Sequence, residues 1–279
     1  MKPLSPQVPD LSRRRLMAIG LAAGTTWTLA ACSEKKPAAT TAAPTPAAAA
    51  LAGRVYVVGT DAAYAPFESQ GPGGDIVGFD MDLLNAIAAK AGISLKFVNT
   101  PWEGIFNTLA NGERDLVISA VTITPERQQT MDFSAPYFDA TQLIAVKAGS
   151  SVRKFDDLKT LKVGVQNGTT GDEVVQKLQG RASPDIRRFE STPLALKELE
   201  SGGVDAVVAD NGVVAHYIVN NPAAQFVSLQ DASFAPEQYG IALKKGNAEL
   251  RVKINAGLAA IRADGTYDTI YARYFGTKK

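Results

Sequence analysis

From Arg54 onward the chain alternates short β-branched runs with amphipathic stretches at helical spacing, and that alternation confines it to an α/β fold. "VYVVGT" (55–60) reads as a strand, and "FDMDLLNAIAAKAG" places Phe79, Leu83, Leu84, Ile87 and Ala91 on one helical face before Gly92 stops it. "LKFVNT" predicts a strand, "WEGIFNTLANG" a short helix with Trp102, Ile105, Phe106 and Leu109 inward, and "DLVISAV" another strand. The pattern then restarts: after "LKTLKVGVQ" come a helix in "TTGDEVVQKLQG", a strand in "IRRFE", a helix in "TPLALKELESGG", a strand in "VDAVVAD" and a helix in "NGVVAHYIVNN".

A weak internal repeat links the two halves. "LANGERDLVIS" (109–119) and "LESGGVDAVVA" (199–209) share Leu, Gly, Asp and Val at an offset of 90, each reading as a helix end, a glycine C-cap and a buried strand. The repeat is consistent with two similar lobes, although helix-glycine-strand also arises by chance in α/β chains. With two lobes, a ligand belongs between them, at the carboxyl ends of the strands.

Residues at those ends suit a small zwitterion. Asp61 and Tyr64 follow the first strand; Ser119, Thr122 and Arg127 follow another; "GVQNGTTGDE" is a glycine-containing turn that opens a helix with free N–H groups; "VVADN" presents Asp210. Arg127 is the most pointed of these. Thr124 as N-cap and Pro125 as first helical residue place it in the first turn, where the helix dipole disfavours a cation. A carboxylate would reward its planar fork with two hydrogen bonds; the plain alternative is a surface pair with Glu126 or Asp132.

The N-terminal fifty residues read as an address and a tether. "SRRRLM" (12–17) precedes an apolar run too short and broken for a comfortable membrane span, resembling a twin-arginine export signal. The run ends in "LAAC", which resembles the lipobox of bacterial lipoproteins, so residues 1–32 are expected to be an export signal with lipobox and Cys32 the acylated N-terminus. As the single cysteine, Cys32 cannot form a disulfide within the chain. Residues 33–53, rich in Ala, Pro and Thr, are expected to be a disordered linker. Lys2, Arg13, Arg14 and Arg15 against Asp10 account for more than the formal +1 of the whole chain, leaving residues 32–279 slightly acidic, which argues against nucleic-acid binding by bulk charge.

"VGTDAAYAPFES", "VGFDMDLL", "AVTITPERQQTMDFSAPY", "VGVQNGTTGDE", "GGVDAVVADN" and "ADGTYDTIYARYFG" resemble, in order across residues 54–279, the polar amino-acid branch (family 3) of the periplasmic solute-binding proteins of ABC importers, and within it the arginine, lysine and histidine binders. The resemblance implies the two-lobed periplasmic-binding-protein fold of type II, with two α/β lobes joined by two crossing strands. Lobe 1 would comprise 54–141 and 239–279, and lobe 2 142–238, with crossings near Thr141 and Tyr239. "QYGIALKKG" would return the chain to lobe 1, and "YDTIYARYFG" would pack on it as a helix.

By the same resemblance, Arg127 binds the ligand α-carboxylate with backbone and hydroxyl help from Thr122 and Thr170, and Asp210 accepts the α-ammonium with the Ser119/Ala120 segment. Tyr64 and Trp102 flank the ligand side chain, and Asp61 meets its far end. Asp61, Asp210 and Arg127 sum to one negative charge, matching a basic amino acid, and Gln166 stands where some relatives carry lysine. The expected partners are an amino acid, an ABC permease and, through the lipid anchor, the membrane of the cell envelope; the body is expected to be periplasmic, monomeric and free of cofactor.

Three other readings are weighed. A glutamine binder would also satisfy Asp61. A dehydratase for prephenate-like carboxylates shares the fold, but no residue stands out as a general acid with a helper. A sensing module would need a C-terminal membrane span, and none precedes Lys279. His216 lacks companions at metal spacing, Asp80 and Asp82 are expected to complement a helix dipole, and "GPGGD" (71–75) is read as a hairpin turn.

Overall fold

The structure is a computed structural model that describes residues 53–277. The export signal with Cys32, the linker up to residue 52, and Lys278 and Lys279 lie outside the described residues. Among the described residues no helix is long and apolar enough to cross a membrane.

Strand β1 (Val55–Thr60) leads into a small antiparallel sheet of β2 (Ala63–Tyr64), β3 (Glu68–Gln70) and β4 (Ile76–Val77). "GPGGD" closes its hairpin, with Gly71 N donating to Asp75 O at 2.7 Å. Helix α1 (Phe79–Ala91) buries Phe79, Leu83, Leu84 and Ile87 as its spacing predicts, with Ala91 at the edge of the buried face. Then follow β5 (Ser94–Asn99), α2 (Ile105–Asn111), β6 (Leu116–Val117), α3 (Pro125–Thr130) and β7 (Met131–Phe133). Strand β8 (Phe138–Ala140) carries the chain out of this lobe.

The second lobe runs through β9 (Gln142–Lys147), β10 (Val163–Gln166), α4 (Thr170–Gln179), β11 (Ile186–Phe189), α5 (Thr192–Ser201), β12 (Ala206–Asp210), α6 (Asn211–Asn220) and β13 (Phe226–Leu229). Strand β14 (Glu237–Tyr239) brings the chain back, antiparallel to β8, and β15 (Ala242–Lys244), α7 (Ala248–Ala263) and α8 (Thr266–Phe275) complete the first lobe.

The two large sheets share one topology. The first has the order β5-β1-β6-β15-β7 and the second β11-β10-β12-β9-β13. In each, the first three strands are parallel and the fourth, which enters from a crossing strand, is antiparallel to its neighbours. The cores differ in kind. The first is aromatic, built around Phe67, Phe79, Tyr137, Phe138 and Tyr239, whereas the second is aliphatic, with Ile144, Val146, Val163, Val165 and Val208 on one face of its sheet.

Three expectations need correction. Trp102 and Phe106 do not enter the core with Ile105 and Leu109; they stay half-buried beside the cleft, because α2 starts only at Ile105 and is one face wide. The C-terminal helix α8 packs on α1 and α7 rather than on the returning strand, setting Tyr271 and Phe275 against Phe79 and Phe138. Asp80 lies in the first turn of α1, yet it is fully buried and bonded to Ala120 and Tyr137, so it serves a tertiary contact rather than the helix dipole. Asp82 is the surface residue of the two, paired with Arg273.

Candidate functional site

A cleft lies between the lobes, and the eleven residues Asp61, Tyr64, Trp102, Ser119, Ala120, Thr122, Arg127, Gln166, Thr169, Thr170 and Asp210 line it. The topology explains this convergence: Asp61, Ser119, Gln166 and Asp210 sit at the carboxyl ends of the parallel strands β1, β6, β10 and β12, which point toward the same gap.

Arg127 occupies the first turn of α3, whose N-cap Thr124 accepts from Arg127 N at 3.1 Å. Its guanidinium ignores Glu126 and Asp132; Asp132 pairs with Lys245 instead. It donates to the Thr122 carbonyl at 2.9 Å and reaches across the cleft toward the Gly168 carbonyl at 3.4 Å. The rings of Trp102 and Phe106 each lie 5.3 Å from it, a cation-π clasp. Burial lowers its pKa, and it forms no ion pair among the described residues. A fixed cation without a counter-ion, facing a cavity, is set to receive an anion. Beside it, the first-turn N–H groups of α4, capped by Thr169 accepting from Asp172 N at 3.2 Å, add to the positive end.

Asp61 accepts from Gln166 Nε2 at 3.2 Å and from the Trp102 backbone N–H, and burial raises its pKa. Gln166 is oriented by Thr192, whose hydroxyl donates to Oε1 at 3.0 Å, leaving the amide nitrogen to span the lobes. Asp210, also in the lining, is buried. It accepts from Gln142 Nε2 and from the hydroxyls of Tyr239 and Tyr64, and burial, followed by the nearby Glu237 carboxylate, raises its pKa to about 6.

Glu237, Gln142, Tyr239 and Phe106 were not foreseen as site residues. Glu237 on β14 accepts from Thr122 at 2.7 Å, Thr170 at 2.9 Å and Gln142 at 3.0 Å, joining both lobes. The hydroxyl protons of Thr122 and Thr170 are committed to Glu237, so these threonines can offer an anion only backbone N–H, and the Thr170 hydroxyl already accepts from Gln142 Nε2 at 3.2 Å. A further carboxyl group, that of Glu237, also stands directly behind the lining, bonded to Thr122 and Thr170. A signal existed in the sequence: Gln142 and Glu237 flank the crossings read at Thr141 and Tyr239, where any side chain near the strand ends meets both lobes.

His216 lies on α6, partly buried, and among the described residues no cluster of His, Cys, Asp or Glu is arranged to hold a metal ion.

With this geometry in hand, the comparisons are direct. Residues 56–277 match the family model of bacterial extracellular solute-binding proteins, family 3. A probable histidine-binding protein of Neisseria gonorrhoeae is 49% identical over 232 residues, covering 82% of this chain and 86% of that one. The crystal structure of the arginine-, lysine-, histidine-binding protein ArtJ of Geobacillus stearothermophilus superposes with a TM-score of 0.78 at 46% identity, covering 81% of this chain and 97% of that one. An ancestral arginine-binding protein solved with glutamine gives a TM-score of 0.74 at 44% identity, covering 80% and 98%. The mixed α/β, two-lobed architecture of the periplasmic-binding type II fold, with its cleft at the crossing strands, is therefore shared, and the chain belongs to the bacterial extracellular solute-binding proteins of family 3.

Proposed function

We propose that the protein captures a basic amino acid, arginine, lysine or histidine, in the interlobe cleft and delivers it to an ABC permease. The observation that carries this reading is the charge of the cleft lining: an unpaired, ring-clasped Arg127 together with the carboxyl groups of Asp61 and Asp210. Arg127 and the first turn of α4 take the α-carboxylate; Asp210, with Ser119 and Ala120, takes the α-ammonium; the side chain passes Tyr64 and Trp102 to Asp61. The excess of carboxyl groups around one guanidinium favours a ligand with net positive charge, since a buried uncompensated charge costs several kcal/mol. The names of the Neisseria protein and of ArtJ support the same class.

The lobes, residues 54–141 with 239–279 and residues 142–238, close about the β8 and β14 crossings, and the closed form is what the permease reads. Export and acylation at Cys32 would tether the body to the cell envelope. Glutamine is the second reading, because Asp61 accepts from an amide as well and one relative was solved with that ligand.

A thermal-shift screen of refolded, ligand-free protein against the twenty amino acids tests the assignment. A ligand at a hundred times its Kd adds about 2.7 kcal/mol of stability. Stabilisation by arginine, lysine or histidine and not by glutamine is expected; a response to glutamine alone would replace the first reading with the second.

A further inference from the structure

Behind the Ser119–Ala120 turn lie two carboxyl groups for which the binding reading has no use. Glu68 on β3 and Asp80 on α1 are both fully buried. No lysine, arginine or histidine among the described residues lies within ion-pair distance of either. The ionisable groups that face the pair are Asp61 from the loop after β1, Tyr64 on β2 and Tyr137 ahead of β8, none of which supplies positive charge. Two neighbouring carboxylates in such surroundings cannot both ionise.

Their hydrogen bonds are one-sided. Glu68 Oε1 accepts from Ser119 Oγ at 2.8 Å, and Asp80 Oδ2 accepts from Ala120 N at 2.9 Å and Tyr137 Oη at 2.8 Å. The other oxygens, Glu68 Oε2 and Asp80 Oδ1, are buried without a partner elsewhere, while the two side chains lie within hydrogen-bonding reach of each other. One proton between those two oxygens satisfies both. The groups held on the outer side form the cleft wall. Ser119 Oγ accepts from Asp61 N at 3.0 Å, and Ala120 is held at φ 46°, a left-handed conformation that a residue with a side chain keeps only when its surroundings impose it.

We infer that Glu68 and Asp80 form a carboxylic acid–carboxylate pair sharing one proton, and that this pair is the positioning device for Asp61 and the Ser119–Ala120 turn. The proton belongs on Glu68, because Asp80 already receives two donors suited to a carboxylate. Burial supports this: it raises Glu68 well above the usual carboxyl range, with the Asp80 charge adding to the effect, and raises Asp80 to about 7. The inference deepens the proposed function and rests on it only for what the turn positions.

The sign of the pH dependence follows. The native protein retains a proton that the unfolded chain releases above the ordinary glutamate range, so stability falls as pH rises through the window between the two values, tenfold in the unfolding constant per pH unit for one proton. Denaturant unfolding of the ligand-free parent and of Glu68→Gln from about pH 5 to 8 reads this slope. The amide of Glu68→Gln donates to Asp80 and accepts from Ser119 without titrating, so its stability curve should be shallower than the parent's by this one proton, while Asp210, raised to about 6, contributes to both curves alike. Infrared difference spectra at about pH 8 should show an acid carbonyl band in the parent that disappears in Glu68→Gln. Arginine affinity should fall about tenfold or more in Glu68→Ala and be rescued in Glu68→Gln, since Ser119 loses its acceptor only in the former. An equal slope in parent and Glu68→Gln, a parent without the acid band, or Glu68→Ala binding arginine like the parent would each overturn the inference. Slope and band are read without ligand, so they stand even if Glu68→Ala does not fold, and they separate failure of this pair from failure of the amino-acid assignment.

Discussion

The two lobes repeat one construction and differ in what they load onto it. In the first, Asp115 ahead of β6 donates its N–H to Val57 O at 2.8 Å and accepts from Val57 N at 2.9 Å. In the second, Asp205 ahead of β12 donates to Lys162 O at 2.8 Å and accepts from Lys162 N at 2.8 Å. Each aspartate latches the start of one parallel strand to its neighbour, after a helix that ends in a left-handed glycine, Gly112 at φ 84° and Gly202 at φ 86°. Above this shared base the lobes diverge. The first carries Arg127, Asp61, the aromatic pair Trp102 and Phe106 and the buried Glu68–Asp80 pair; the second brings a helix N-terminus, the three neutral side chains of Gln166, Thr169 and Thr170 and one carboxylate, Asp210. The duplicated parts are those that strand geometry demands, and the unique parts are those a zwitterion would meet.

That contrast can be broken in several places. Arg127→Ala should remove roughly 2 to 5 kcal/mol of affinity for any α-amino acid, by stranding a buried carboxylate, as titration calorimetry would read. Its effect on the stability of the ligand-free protein should be small, because Arg127 has no ion pair to lose.

The lobes approach closely at Gly212, where an added Cβ would sit 2.8 Å from the ring of Phe67. Phe67 is fully buried among Tyr64, Phe79, Phe138, Tyr239 and Phe275 and cannot yield. Gly212→Ala should therefore cost about 1 to 3 kcal/mol. Most of that should appear in ligand affinity, with small-angle scattering reporting a more open particle.

pH acts on Asp210. Its pKa of about 6 in the ligand-free cleft lies above the ordinary aspartate value, so binding an ammonium, which needs the carboxylate, must expel a proton below that pH. Affinity should be level above about pH 7 and fall by roughly 1.4 kcal/mol for each pH unit below 6. Calorimetry in buffers of different ionisation heats would count the proton.

The smallest effects sharpen the repeat. Asp115→Ala and Asp205→Ala should each destabilise the fold by about 1 kcal/mol through the strand N–H left behind, with little change in affinity. Unequal costs beyond a factor of three would mean that the two latches are equivalent in geometry alone.

Much of this was legible in the sequence because it rests on local rules. Helix faces, glycine caps and the residues just past each parallel strand are fixed by spacing, and those residues duly gather at one cleft. What was not legible depends on contacts distant along the chain. Glu237 meets Thr122 across 115 positions, and Asp80 meets Ala120 across 40, so neither local propensity nor periodicity marks them. Asp80 looked like a helix-dipole residue because the first turn is where such residues belong; its burial follows from packing that α1 undergoes only in the finished lobe.

The central claim is that Asp61 selects a cationic side chain while Arg127 anchors the shared α-carboxylate. It is tested most directly by measuring arginine and glutamine affinities for the parent and for Asp61→Asn. The account predicts that the substitution lowers arginine affinity by about 2 kcal/mol or more while leaving glutamine nearly untouched, collapsing the ratio between them. An arginine-to-glutamine ratio that survives Asp61→Asn would contradict the account.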